Sequence, residues 1–247
     1  MATINERLMQ AAKAGSVVEL KALLSEPSCD ALSKDKFDIT ALMWAAACGH
    51  KACVRILMPM SDALAKSSEG RTALMLAAWH GQEACVELLL PASDASTQGH
   101  ENGTALMMAV CNGHKTCVEI LLPASDALAQ DKDGLTALMW ASSYGDEACV
   151  DLLLPASDAL ARDAGGATAL MWAAWIGNEA CLGQLLPVSD ALARNNDGLT
   201  ASAVASKHGY EGAAQFIDAY VLAQSEKAAL ESQVGPRAPR GQSAPRV

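Results

Sequence analysis

Gly134-Leu135-Thr136-Ala137-Leu138-Met139-Trp140-Ala141 decides the fold, because the chain keeps returning to it. It recurs with drift as Gly70-Arg71-Thr72-Ala73-Leu74-Met75-Leu76-Ala77 and as Gly166-Ala167-Thr168-Ala169-Leu170-Met171-Trp172-Ala173. The threonines fall at 40, 72, 104, 136, 168 and 200, a spacing of 32 residues every time. A fixed period of this size marks a solenoid, in which each unit buries its apolar face only against its neighbours.

Composition agrees. The chain is 51% hydrophobic but only 4% aromatic, since alanine and leucine carry the apolar content. Such residues suit closely packed helices, whereas sheets draw on β-branched and aromatic side chains. The expected fold is therefore an all-α array. Net charge is −10, and residues 1–231 hold 15 basic and 28 acidic side chains, a balance of −13. Acidic surfaces repel phosphate, which disfavours nucleic acid and favours a basic partner. No run of about 18 apolar residues occurs, so no membrane span is expected. Asn5, Glu6, Arg7, Gln10 and Lys13 interrupt the first twenty residues, which therefore lack the apolar core of a secretory signal. The expected location is cytoplasmic, with export by a route that reads no such signal left open.

From Asn5 to Leu24 the periodicity predicts a helix pair broken at Gly15, polar on one face as a terminal cap requires. Five near-identical units follow, with helix pairs over 40–58, 72–90, 104–122, 136–154 and 168–186. In each, Thr is the expected N-cap of the first helix. Gly49, Gly81, Gly113, Gly145 and Gly177 end it. Pro59, Pro91, Pro123, Pro155 and Pro187 stop the second helix. Ser-Asp-Ala-Leu and Asp-Lys-Asp-Gly segments supply turns. Asn102 stands where neighbouring units have glycine, and asparagine tolerates a left-handed backbone. A last, longer helix from near Glu211 towards Leu230 reads as the C-terminal cap. Residues 1–231 thus form the array, seven units with two caps, and 232–247 a disordered Pro/Arg/Gly tail.

These units, with Gly-x-Thr-Ala-Leu-Met-x-Ala-Ala, the Gly49-His50 and Gly113-His114 pairs and a Val-x-x-Leu-Leu second helix, resemble ankyrin repeats over about residues 3–220. They depart consistently. Thr-Ala-Leu-Met replaces the family's Thr-Pro-Leu-His, Pro-x-Ser-Asp replaces Gly-Ala-Asp, and each unit is one residue shorter than usual. The resemblance implies a protein-binding scaffold whose concave face and turn tips dock a partner.

Cysteine is the first candidate for chemistry. Five lie at 53, 85, 117, 149 and 181, one per unit. Stacked helices lie about 8–10 Å apart, while a disulfide needs Cα atoms within about 7 Å and zinc needs thiolates at about 2.3 Å. A one-per-unit ladder meets neither requirement, so these are expected as small core residues and no metal or cofactor is expected. Cys48 and Cys111 precede turn glycines and Cys29 lies in the first connection. Catalytic residues are not expected either: the serines, aspartates and histidines recur at caps and turns rather than converging.

A helical wheel on the first helix puts Leu138, Ala141, Ser142 and Gly145 on one side. The opposite set contains Trp44, Trp140 and Trp172 four residues after the threonine. It also contains Trp79 and Trp175 seven after, and His80, Tyr144 and Ile176 eight after. The tryptophans at the fourth position are expected to pack in the seam between units. For the seventh and eighth positions, resemblance to ankyrin repeats implies the concave face, and large aromatics are enriched at interface hot spots. Trp79, His80, Tyr144, Trp175 and Ile176 are therefore candidate contact residues. Phe37, Arg71, Lys132, Leu135 and Leu199 join them as residues of the turn tips. Two narrower readings stay open: a dedicated inhibitor or immunity-type regulatory subunit, and a microbial effector exported to bind host proteins. Self-association through the exposed tryptophans is a further possibility.

Overall fold

A computed structural model describes residues 2–234. Fourteen α-helices occur among them, arranged as seven antiparallel pairs. The first pair is α1 (Ile4–Ala14) and α2 (Val17–Leu24). Then come α3 (Ala41–Ala47) with α4 (Lys51–Leu57), α5 (Ala73–Trp79) with α6 (Glu83–Leu89), and α7 (Ala105–Cys111) with α8 (Lys115–Leu121). The array continues with α9 (Ala137–Tyr144) and α10 (Glu147–Leu153), α11 (Ala169–Ile176) and α12 (Glu179–Leu185), and α13 (Ala201–Lys207) and α14 (Glu211–Val234). The odd-numbered helices stack on one another in an inner row, and the even-numbered ones in an outer row.

Helices of seven or eight residues do not stand alone in water, where about 12–15 residues are needed even for good formers. Stacking supplies the difference. Ala41, Ala45, Ala46, Ala73, Ala77, Ala78, Ala169, Ala173 and Ala174 are all buried, and their small side chains let the inner helices approach closely. The wheel's grouping of Leu138, Ala141 and Ser142 on one side matches their burial. It misses Met139 and its equivalents Met43, Met75, Met107 and Met171, which form a buried row. Each inner helix from α3 to α11 touches a neighbour on both sides as well as its own outer helix, so its buried face is wider than an amphipathic wheel allows. Buried Ser142 donates to Leu138 O at 2.7 Å, which satisfies its hydroxyl within the helix.

Capping follows the repeat. Thr40, Thr72, Thr104, Thr136 and Thr200 each accept a backbone N–H three residues on, at 3.3 Å. Thr168 has the same extended backbone, but its hydroxyl makes no such bond. Gly49, Gly81, Gly113, Gly145 and Gly177 all take positive φ after the inner helix. The prolines act differently from the expected hard stop. Each outer α-helix ends two residues earlier, and Pro59, Pro91, Pro123, Pro155 and Pro187 sit second in a 3₁₀ turn. Proline removes one α-type hydrogen bond yet keeps a φ that a 3₁₀ turn accepts. The C-terminal boundary also shifts: α14 runs through Val234, three residues into the expected tail. Residues 235–247, the rest of that tail, lie outside the described residues.

Between the pairs, narrow hairpin fingers project. In one of them Asp131 N–H bonds to Leu135 O at 3.0 Å and Gly134 N–H to Asp131 O at 3.0 Å. Successive fingers are tied backbone to backbone: Ser68 N–H to Phe37 O (2.9 Å), His100 to Glu69 (3.2 Å), Lys132 to Glu101 (2.8 Å), Ala164 to Asp133 (2.9 Å) and Asn196 to Gly165 (2.9 Å). A second ladder runs in side chains. Lys34, Lys66, Gln98, Gln130 and Arg162 each donate to the carbonyl of the equivalent residue one unit on, at 2.7–3.2 Å. Where most fingers reverse on a glycine, the first and third use Asp38 (φ 57°) and Asn102 (φ 61°), as the sequence suggests for Asn102.

Gly134 and Gly198 separate two costs. Both have positive φ (81° and 75°), but a Cβ at Gly134 would lie 2.8 Å from Ala164 N, whereas at Gly198 it meets open space. Gly198→Ala is expected to cost about 1 kcal/mol from conformation alone. Gly134→Ala should cost about 2–3 kcal/mol, because it also disturbs the bond between fingers. Urea unfolding of the two variants measures the difference, and equal losses would show that the finger ladder contributes nothing.

The thiol ladder gives a second expectation. Cys53, Cys85, Cys117, Cys149 and Cys181 are fully buried, as the spacing predicts. Burial first, then nearby carboxylates, pushes the Cys149 thiol up to about 12 and Cys117 and Cys181 up to about 11, from 9.0. The unfolded chain therefore loses these protons before the folded one does. The contribution of these protonated thiols to stability is fully present below pH 9 and is lost as pH rises from there through 11–12. The unfolding free energy should fall steeply with pH over that range, and Cys149→Ala should make the slope shallower whatever it does to stability at neutral pH.

Candidate functional site

The inner helices and the fingers together bound a groove, and its floor is set by a pairing that sequence reasoning missed. Trp44, Trp140 and Trp172 each donate their indole N–H to an aspartate nine residues earlier, at the start of the finger. The distances are 3.1 Å to Asp35, 2.9 Å to Asp131 and 2.9 Å to Asp163. The other oxygen of each carboxylate accepts one or two backbone N–H groups of its own finger: Asp131 from Asp133 and Leu135 at 2.9 Å, Asp35 from Phe37 and Ile39, and Asp163 from Ala167 alone. Each tryptophan thus fastens a finger to its helix. In the other three units the tryptophan is Leu76, Met108 or Val204, and the aspartate is Ser67, Gly99 or Asn195. The two positions change together, and that pairing across units was the sequence signal available. The seam expectation for these tryptophans holds in part: they are half-buried, with polar anchoring added.

Four clefts follow one another along the groove. The first, of about 290 Å³, is lined by Phe37, Trp44, Arg71 and His80 among others. The second, about 510 Å³, has Glu69, Arg71, Trp79, Glu101, Trp140 and Tyr144. The third is the largest, about 640 Å³, between Trp140, Tyr144, Trp172, Trp175, Asp133 and Asp163. The fourth, about 150 Å³, holds Trp172, Trp175, Lys207 and His208.

Most of the candidate contact residues meet here. Tyr144 is 58% exposed and stacks on Trp140, ring centroids 5.9 Å apart. Trp175 is 42% exposed, packs on Trp172 at 4.7 Å and donates its indole N–H to His208 Nδ1 at 3.0 Å. Phe37 is 52% exposed at a finger tip, and His80 is exposed beside it in the first cleft. Trp79 is half-buried beneath the Arg71 guanidinium, which also pairs with Glu69 at 3.3 Å. Ile176 is half-buried and reaches back over Gly145. Lys132 is exposed at a finger tip, where its ammonium pairs with Glu101 of the preceding finger.

Leu135 is a correction. It is only 8% exposed and belongs to the core, not to a finger tip. The chain reverses at Gly134, so the next residue already stands at the finger's base and points inward. Half-buried Arg71 and Leu199, which follow Gly70 and Gly198, occupy the equivalent place at the base of their fingers, not at the tips. The true tips are the preceding pairs, such as Lys132-Asp133 and Lys36-Phe37, which brings Asp133 into the site.

Two-helix units of fixed period, joined by hairpin fingers that bond to one another, define a helical repeat solenoid. Within that class the sequence is specific. A family model for ankyrin repeats (three copies) matches residues 8–99 and 91–163, and the chain belongs to the ankyrin-repeat family. The crystal structure of the human ASB11 ankyrin repeat domain is similar, with a TM-score of 0.74 and 27% sequence identity. The match covers 85% of this chain and 96% of that one. No curated protein matches the chain in sequence. Ankyrin repeats generally mediate protein–protein interaction and are typically non-catalytic. Among the described residues no helix is long and apolar enough to cross a membrane.

The aspartate–tryptophan fastening makes a quantitative prediction. Asp131→Ala should destabilise by about 2–3 kcal/mol, and Trp140→Phe by about 1–2 kcal/mol. The double variant should lose less than the sum, since both changes break one interaction. Urea unfolding of the four proteins measures the coupling; strictly additive losses would mean the bond fixes nothing.

Proposed function

We propose that the chain is a non-catalytic scaffold that binds a protein partner along the four clefts and the finger tips. Phe37, His80, Tyr144 and Trp175 are its principal contacts. Trp79, Ile176, Arg71 and Lys132 contribute at the edges of the same surface. The observation that carries this reading is the exposure of Tyr144 and Trp175 on a surface already ordered by two inter-unit ladders. Aromatic rings held wet in clefts gain most when a partner covers them, and a pre-ordered surface loses little entropy on binding.

Capture from lysate of the native cells, followed by hydrogen exchange of the purified complex, tests the proposal. Slowed exchange is expected in the fingers and inner helices, and a Phe37→Asp/Tyr144→Asp variant of unchanged helicity should lose the partner. Protection confined to the outer helices or to α14 would place binding elsewhere and overturn the proposal.

A further inference from the structure

Cations of the chain itself already cover aromatic faces in its N-terminal half. Lys13 Nζ stands 4.3 Å from the Trp44 ring centroid, Lys36 Nζ 4.9 Å from that of Phe37, and the Arg71 guanidinium 4.7 Å from that of Trp79. The third cleft repeats the aromatic part of this arrangement without the cation. Trp140, Tyr144, Trp172 and Trp175 line it, no lysine or arginine does, and among the described residues no cation lies over any of the four rings. Its charged residues are both acidic. Asp163 is engaged by Trp172 Nε1 and Ala167 N, but the Asp133 carboxylate is exposed at a finger tip without a hydrogen bond or ion pair among the described residues. The basic groups around it are engaged elsewhere: Lys132 pairs with Glu101, Lys207 lines the fourth cleft, and His208, whose Nδ1 accepts the Trp175 indole N–H, packs on that ring from the fourth cleft at 5.4 Å.

Aromatic faces carry negative quadrupoles, and a cation held over them beside a carboxylate is attracted by both. We infer that the third cleft takes an arginine side chain from a basic segment of the protein partner. That planar cation is stacked among Trp140, Tyr144, Trp172 and Trp175 and faces Asp133. Arginine fits better than lysine, because a delocalised planar cation both stacks on rings and sheds water more readily than an ammonium. The inference rests on the concave-face reading above and adds the chemistry of the occupant. The array's net −13 over residues 1–231 favours approach of such a segment at low salt.

The probe is an acetylated, amidated Gly-Arg-Gly-Arg-Gly peptide, with its citrulline counterpart as the neutral isostere. Indole N–H resonances of the full chain, assigned with single Trp→Phe variants, are followed during titration. The arginine peptide should shift Trp140, Trp172 and Trp175 saturably, leave Trp44 and Trp79 in place, and bind about ten-fold more tightly than the citrulline peptide. Asp133→Asn should weaken it by about three-fold or more, and added salt should weaken it further. Equal binding of the two peptides, shifts centred on Trp79, or no shift up to millimolar peptide would each overturn the inference. Binding that emerges only after residues 235–247 are deleted would assign the cleft to the chain's own arginines and overturn the partner claim. Concentration-dependent shifts without peptide would assign it to a second copy, with the same consequence. If the peptide fails while the captured partner still protects the groove, only the arginine claim falls; if protection lies elsewhere, the concave-face reading falls with it.

Discussion

The inner helices are too short to exist alone, and the whole molecule depends on how closely they stack. Seven residues make only a few internal hydrogen bonds, not enough to offset the cost of nucleating a helix. Alanines at the contact positions bring the backbones near enough for dispersion and burial to make up the deficit. Order in any unit is therefore borrowed from the units beside it, and the end units supply what the interior cannot. Thr3 closes a capping box with Glu6 at the start, and the longer α14 covers the end.

On that base the fingers acquire a rigidity that hairpins seldom have. An isolated hairpin is marginal in water. Here each is bonded to a neighbouring finger's backbone, each after the first also accepts a side-chain donor from the unit before it, and three are fastened by a tryptophan of their own helix. The groove surface is therefore fixed before any partner arrives. Its aromatic residues divide into two groups that differ in chemistry: Trp44, Trp140 and Trp172 act as fasteners, while Tyr144 and Trp175 remain more exposed above them.

Much of this was legible in the sequence, for a physical reason. The period of Thr, Gly, Cys and Pro reports local requirements, caps, left-handed turns and small core sites, which act within a few residues and repeat unchanged. The direction of a side chain in a finger was not legible, because it depends on where the chain reverses. Leu135 follows Gly134 by one residue, yet that step carries it from the tip to the core. The side-chain ladder of Lys34, Lys66, Gln98, Gln130 and Arg162 also escaped notice. Its members share only a donor at the end of a long stem, so the position reads as variable surface while its bond is constant.

That ladder has a direction. Every donor reaches forward to the next unit, and Arg194, the last of the series, turns instead onto Gly198 O of its own finger at 2.6 Å. A unit offers its predecessor a carbonyl and asks of it only a donor on a long stem, since lysine, glutamine and arginine all serve. Interior units are thus interchangeable parts with a standard coupling. Excising or duplicating one whole period would rejoin a donor to a carbonyl of the same kind and leave the remaining clefts in register. Gain or loss of units by recombination therefore lengthens or shortens the groove without redesigning a single junction.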